Sequence, residues 1–129
     1  MKKEIYVYIS GPITVGGPVK NTRKAIDVAE KVMKMGMIPY VPHLNLLWEV
    51  CYPKATKLYL KMDLSWVEKC NILYRIKGFS RGAEIEVAHA KKVGVPVVHN
   101  FNQLQRHALY LRGGQTKIRT SPKRTKKTN

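Results

Sequence analysis

Apolar and polar positions along this chain switch repeatedly between a strand-like and a helical period. Ile5-Tyr-Val-Tyr-Ile9 is apolar on both alternations, as in a strand buried on both faces of a parallel sheet. A Gly- and Pro-rich turn (Ser10-Gly11-Pro12, then Gly16-Gly17-Pro18) leads to a helix with Ala25, Val28, Ala29, Val32 and Met33 on one face. Asn21 or Thr22 is the expected cap of that helix, and Gly36 its stop. Met37–Val41 predicts a second short strand, in which Pro39 marks either an edge position or an early strand end. Pro42-His43-Leu44-Asn45 then forms a loop, and Trp48, Tyr52 and Pro53 continue a long, partly aromatic connection suited to a lid or a stacking wall.

A helix follows over Thr56–Cys70, with Asp63 set among apolar positions, either at the surface or pointing inward. The run Asn71–Ile76 predicts a third strand, ending in the turn pair Lys77-Gly78. The next helix runs to about Val93 and is stopped by Gly94. Val95–His99 is a fourth strand, and Phe101–Leu111 a last helix stopped by Gly113-Gly114. This regular alternation predicts a doubly wound α/β fold of the Rossmann/flavodoxin-like kind. Its sheet has four to five parallel strands, right-handed crossovers and flanking helices. One domain over residues 1–114 is expected, followed by a basic, disordered tail over 115–129.

The stretch Ser80-Arg-Gly-Ala-Glu-Ile-Glu86 sits where a strand gives way to a helix, beyond the carboxyl edge of the predicted sheet. Free N–H groups at a helix start attract anions, and Gly82 lets the backbone come close to one. Ser80 serves either as an N-cap or as a donor to a phosphate, and acidic residues in this first turn also complement the helix dipole. The Gly11–Gly17 turn has neither the dinucleotide fingerprint nor a P-loop spacing.

Charge sharpens the picture of the ligand. The chain carries a net +16, and the six basic residues of 115–129 account for only part of it, leaving +10 elsewhere. Such a chain attracts polyanions or anionic small molecules. Cys51 and Cys70 have no metal-like spacing and read as free thiols of a reducing cytoplasm. Neither a membrane span nor a signal peptide is read from the sequence, and no metal or other cofactor is expected.

Four segments in order, within residues 4 to 114, resemble the nucleoside 2-deoxyribosyltransferase superfamily: Tyr8-Ile-Ser-Gly-Pro12, Pro42-His43-Leu44-Asn45, Met62-Asp63-Leu64-Ser65-Trp66 and Ser80-x-Gly82-x-x-x-Glu86. The functional likeness is greatest to the 2′-deoxynucleoside 5′-phosphate N-hydrolases. The sequence likeness is greatest to an uncharacterised phage and bacterial branch. The resemblance implies that Glu86 is the nucleophile on C1′ and that Asp63 serves as acid and base or orients Glu86. It further implies that Ser80 and the amides around Gly82 bind a 5′-phosphate, with Arg23 a weaker candidate. Tyr8, Gly11, Pro12 and Ile13 would line the sugar, and His43 would sit near the base. Arg81 and Glu84 depart from the family pattern, and Glu84 competes with Glu86 for the nucleophile's role.

The function expected is hydrolysis of the base–sugar bond of a (deoxy)nucleoside 5′-monophosphate in the cytoplasm of a bacterium or phage-infected host. The protein is expected to be a homodimer or higher homo-oligomer. Two alternatives stand beside it. One is deoxyribosyl transfer between bases. The other is a non-catalytic nucleotide- or nucleic-acid-binding protein that uses the basic tail, although no helix-turn-helix, RRM or KH signature supports it.

Overall fold

A computed structural model describes residues 3–113. The elements run β1 (Tyr6–Ser10), α1 (Pro18–Lys34), β2 (Ile38–Tyr40), a 3₁₀ turn (Pro42–Leu44), α2 (Asn45–Cys51), α3 (Thr56–Lys69), β3 (Ile72–Arg75), α4 (Arg81–Val93), β4 (Val97–Val98) and α5 (Phe101–Leu111). All four strands are parallel, in the order β2-β1-β3-β4. The α/β fold class is therefore the one expected, and β2, with Pro39, does take an edge. The tail expected over 115–129 lies outside the described residues.

Strand periodicity sorts the core into two layers. Ile5, Val7 and Ile9 of the β1 stretch, with Ile72 and Tyr74 of β3, face one way and pack on Ala25 and Val32 of α1 and on Leu104 and Ala108 of α5. The alternate residues Tyr8 and Leu73 face the other way, against Val67 of α3 and Ala90 of α4. Fully burying one such Leu or Ile contributes roughly 1.5–3 kcal/mol. Both faces of β1 and β3 are thus covered, which is why β1 lacks a polar alternation.

The chain leaves β1 for β2 on one side and returns to β3 on the other side of β1. The reversal opens a crevice at the carboxyl ends of β1 and β3, where ligands bind in doubly wound sheets.

Two local expectations are corrected. Helix α1 begins at Pro18, not at a cap on Asn21 or Thr22; Gly17 precedes it with no side-chain cap. Proline's fixed φ and missing N–H suit the first helical position. The connection after β2 is not irregular, since Asn45–Cys51 forms α2. No helix among the described residues is long and apolar enough to cross a membrane.

Candidate active site

Period-two geometry puts Tyr8 and Ser10 on the same face of β1, towards α3 and α4. Glu86 lies on α4 one turn beyond its start, and the helix is aimed by its N-terminus. Ser80 caps it, its Oγ accepting from the Ala83 N–H at 3.0 Å. The Glu86 carboxylate therefore meets the end of β1. Ser10 Oγ donates to Glu86 Oε1 at 2.7 Å, and Tyr8 OH donates to Oε2 at 2.9 Å. Glu86 is only 6% exposed, and Ser10 and Tyr8 are fully buried.

Burial is the main influence on these groups. It raises the Glu86 carboxyl above its ordinary range, opposed by the hydrogen bonds from Ser10 and Tyr8, which favour the charged form. The Tyr8 hydroxyl is pushed well above the usual phenol range by burial and then by the Glu86 charge, so it stays a neutral donor. Asp63 approaches from α3. Its carboxyl is pushed up to about 7 by burial first and by the Glu86 charge second. Its Oδ1 is buried with no hydrogen-bond partner among the described residues. Two carboxyls on one cleft, each raised by burial, are the residue types that acid and base work on one substrate requires.

Glu84 has a different setting. It is largely exposed and accepts from Arg75 Nη2 at 2.7 Å, which holds its carboxyl below the usual range. It does not line the cleft. Arg75, the last residue of β3, is buried and also donates to the carbonyls of Ile76 and Gly78. It thereby fixes the turn that delivers Ser80.

Asp63 and Glu86 share the walls of a cleft of about 340 Å³ with Gly11, Ile13, Ser80 and Gly82. That is within the size of small-molecule sites, about 300–1,000 Å³. A methyl group at Gly82 would meet no protein atom within 4 Å, so the backbone there fronts open space. The cleft is also lined by Leu46 and Glu49 of α2 and by Thr56, Tyr59 and Leu60 of α3. Trp48 packs edge-on against Tyr59, and Tyr59 OH donates to the Tyr52 carbonyl at 3.1 Å. The aromatic connection thus backs one wall of the cleft.

The sequence-predicted residues do not all converge. Tyr8 lies beneath the cleft, touching Glu86 rather than lining the space. Pro12 faces a neighbouring cavity. His43 is 1% exposed, its Nε2 at 3.1 Å from the Pro12 carbonyl, and it is absent from the cleft walls. Burial lowers its proton affinity, as suits a neutral core histidine that braces the β1–α1 turn. Arg23 projects into solvent beside Asp27, at 3.7 Å, and does not reach the cleft.

Ser10 and Arg75 were not singled out from sequence, although each carried a signal. Ser10 is two residues from Tyr8, hence on its face, and Arg75 is a cation inside an apolar strand.

Comparisons with known proteins agree with this architecture. The model of the family described as "Domain of unknown function (DUF4406)" matches residues 5–99, and the chain belongs to that family. Among solved structures, the 2-deoxyribosyltransferase of Bacillus psychrosaccharolyticus is similar at 21% identity and a TM-score of 0.56, over 80% of this chain and 81% of that one. The 2-deoxyribosyltransferase of Leishmania mexicana is similar at 15% identity and a TM-score of 0.57, over 74% of this chain and 63% of that one. No curated protein matches. The fold expected from the four segments, that of the nucleoside 2-deoxyribosyltransferases, is the fold this chain has.

Proposed function

We propose that this protein breaks the N-glycosidic bond of a 2′-deoxynucleoside or its 5′-phosphate and passes the sugar to a second base. The observation that carries the reading is the buried Glu86, held on both carboxyl oxygens by Ser10 and Tyr8 and sharing its cleft with Asp63.

Glu86 attacks C1′ as the C1′–N bond breaks, and the bond's electron pair leaves with the base. The proton on Asp63 passes to the departing base, so the base leaves neutral. The sugar is then an ester of Glu86. An incoming base attacks C1′ through its nitrogen, the ester bond breaks, Glu86 is restored and Asp63 recovers a proton. Ser10 and Tyr8 orient the nucleophile and support its charge in a site screened from water. Ser80 and the amides around Gly82 take the 5′-phosphate where there is one, in keeping with the strongly basic chain.

This reading places transfer ahead of the hydrolysis expected from the sequence, because the two solved structures compared above are 2-deoxyribosyltransferases by name. Water as the acceptor uses the same ester and the same residues, with Asp63 as the base that activates it.

The test is chromatographic. Deoxynucleosides and their monophosphates are incubated with and without a second base. A new nucleoside that appears only with the acceptor supports transfer, and free base without acceptor supports hydrolysis. Glu86→Gln should lower either rate by at least about 10³-fold while the fold is retained. Turnover kept in that variant removes the proposal.

A further inference from the structure

Beside the cleft lies a second cavity, of about 170 Å³, whose charged lining is entirely cationic. Lys20 and Lys24 stand one turn apart on the same side of α1. Lys77 enters from the β3–α4 turn. None of the eight acidic residues of the chain lines this space. No ion pair reaches the three lysines among the described residues. The acids nearest in sequence are engaged elsewhere, Asp27 with Arg23 and Glu84 with Arg75.

The cavity walls are fixed. The Asn21 side-chain amide donates to the carbonyls of Ile13 at 3.0 Å and Val15 at 2.7 Å, which holds the loop before α1. Gly16, at φ 97°, adds a wall with no side chain. Three like charges around one small space repel one another, and an anion seated among them removes that repulsion.

Val15 and Phe79 line both this cavity and the cleft. Along the β3–α4 turn, Lys77 and Gly78 face the cavity while Ser80 and Gly82 face the cleft. A ligand whose first phosphate rests at Ser80 and Gly82 therefore has an adjoining cationic space, which shares Val15 and Phe79 with the cleft.

We propose that the Lys20–Lys24–Lys77 cavity binds the next phosphate of a nucleotide seated in the cleft, which makes nucleotides with consecutive phosphates the preferred ligand class. The proposal rests on the nucleotide reading of the cleft.

The test is calorimetric binding to the Glu86→Gln protein at fixed salt. The probes are a deoxynucleoside 5′-monophosphate, the matching 5′-diphosphate, inorganic pyrophosphate and a short single-stranded oligonucleotide. The diphosphate is expected to bind about tenfold tighter than the monophosphate, the scale of a solvent-screened, charge-assisted contact. Pyrophosphate should compete with the diphosphate. Lys20→Met and Lys77→Met should each erase most of the diphosphate advantage, whereas Lys34→Met, at the far end of α1, should preserve it.

Equal affinity for mono- and diphosphate overturns the proposal. So does an advantage that survives Lys20→Met and Lys77→Met, or one that falls as much in Lys34→Met. Pyrophosphate binding without a diphosphate advantage, or an oligonucleotide that binds more tightly than the diphosphate through the same lysines, overturns it as well. Binding is read without turnover, so a failure of the glycosidic chemistry appears separately, as no product from any substrate with the wild-type protein.

Discussion

Asp63 is the residue whose setting costs the fold most visibly. An aspartate in an unfolded chain titrates at about 3.9, whereas this carboxyl is pushed up to about 7 in the folded protein. The folded state therefore holds the proton more tightly. The resulting stability is fully present below about pH 4 and is lost as pH rises through about 7. Asp63→Asn cannot ionise and escapes that loss. Its melting temperature should pass the wild type's as pH rises from 5 to 8. The gain is on the order of 2 kcal/mol once partial exposure and coupling to Glu86 are discounted. Melting curves that stay parallel across that range would count against the buried-acid assignment. The same variant should lose glycosidic activity, since its amide has no proton to give the leaving base. The sequence showed Asp63 as a polar residue among apolar neighbours. Which way it points follows from how α3 packs on α4, a long-range fact no local pattern carries.

At the scale of elements, the site depends on two turns that interlock. A Cβ at Gly11 would stand 2.9 Å from Ile76 Cβ, and one at Gly78 would stand 2.8 Å from Pro12 Cγ, with Gly78 also at φ 128°. The Ile76 N–H donates to the Ser10 carbonyl at 2.7 Å. The β1–α1 and β3–α4 turns are thus pressed together with no room for a methyl group. Gly11→Ala is expected to cost about 1–3 kcal/mol by overpacking, read as a lower melting temperature. It should also lower activity, because Ser10 and Ile76 must part. Gly82→Ala is the contrast: its methyl meets open space in the first turn of α4, so stability should hold or rise slightly. Equal melting temperatures for the two variants would refute the interlock. Both turns were visible as Gly–Pro and Lys–Gly punctuation, but the way they press on each other was not. Helix α2 was missed for another reason: the seven residues of Asn45–Cys51 are too few to display a helical period. The start of α1 was misplaced because Gly17-Pro18 reads as loop in either case. Only the hydrogen bonds from Asn21 to Ile13 and Val15 show that Asn21 serves the loop from inside the helix.

Across the whole molecule, the alternation of elements was enough to predict parallel strands and a site at their carboxyl ends. The order β2-β1-β3-β4, which sets Ser10 beside Glu86 across 76 residues, had to come from the structure. Charge is the other property of the whole, and it separates two roles. Six basic residues lie in 115–129, and removing them leaves +10 on the rest of the chain. If nucleic acid is held mainly by that segment, its deletion should flatten the salt dependence of single-stranded DNA binding. The slope of log affinity against log salt falls by about 0.7 for each phosphate no longer neutralised, so by as much as about 4 for six. Base release or transfer should stay within about twofold of the full chain, because Glu86, Asp63 and the cleft walls all lie between residues 11 and 86. A deletion that lowers turnover as much as DNA binding would join the segment to the site instead. An unchanged DNA slope would assign the binding to the body, where Lys20, Lys24 and Lys77 are the first residues to replace.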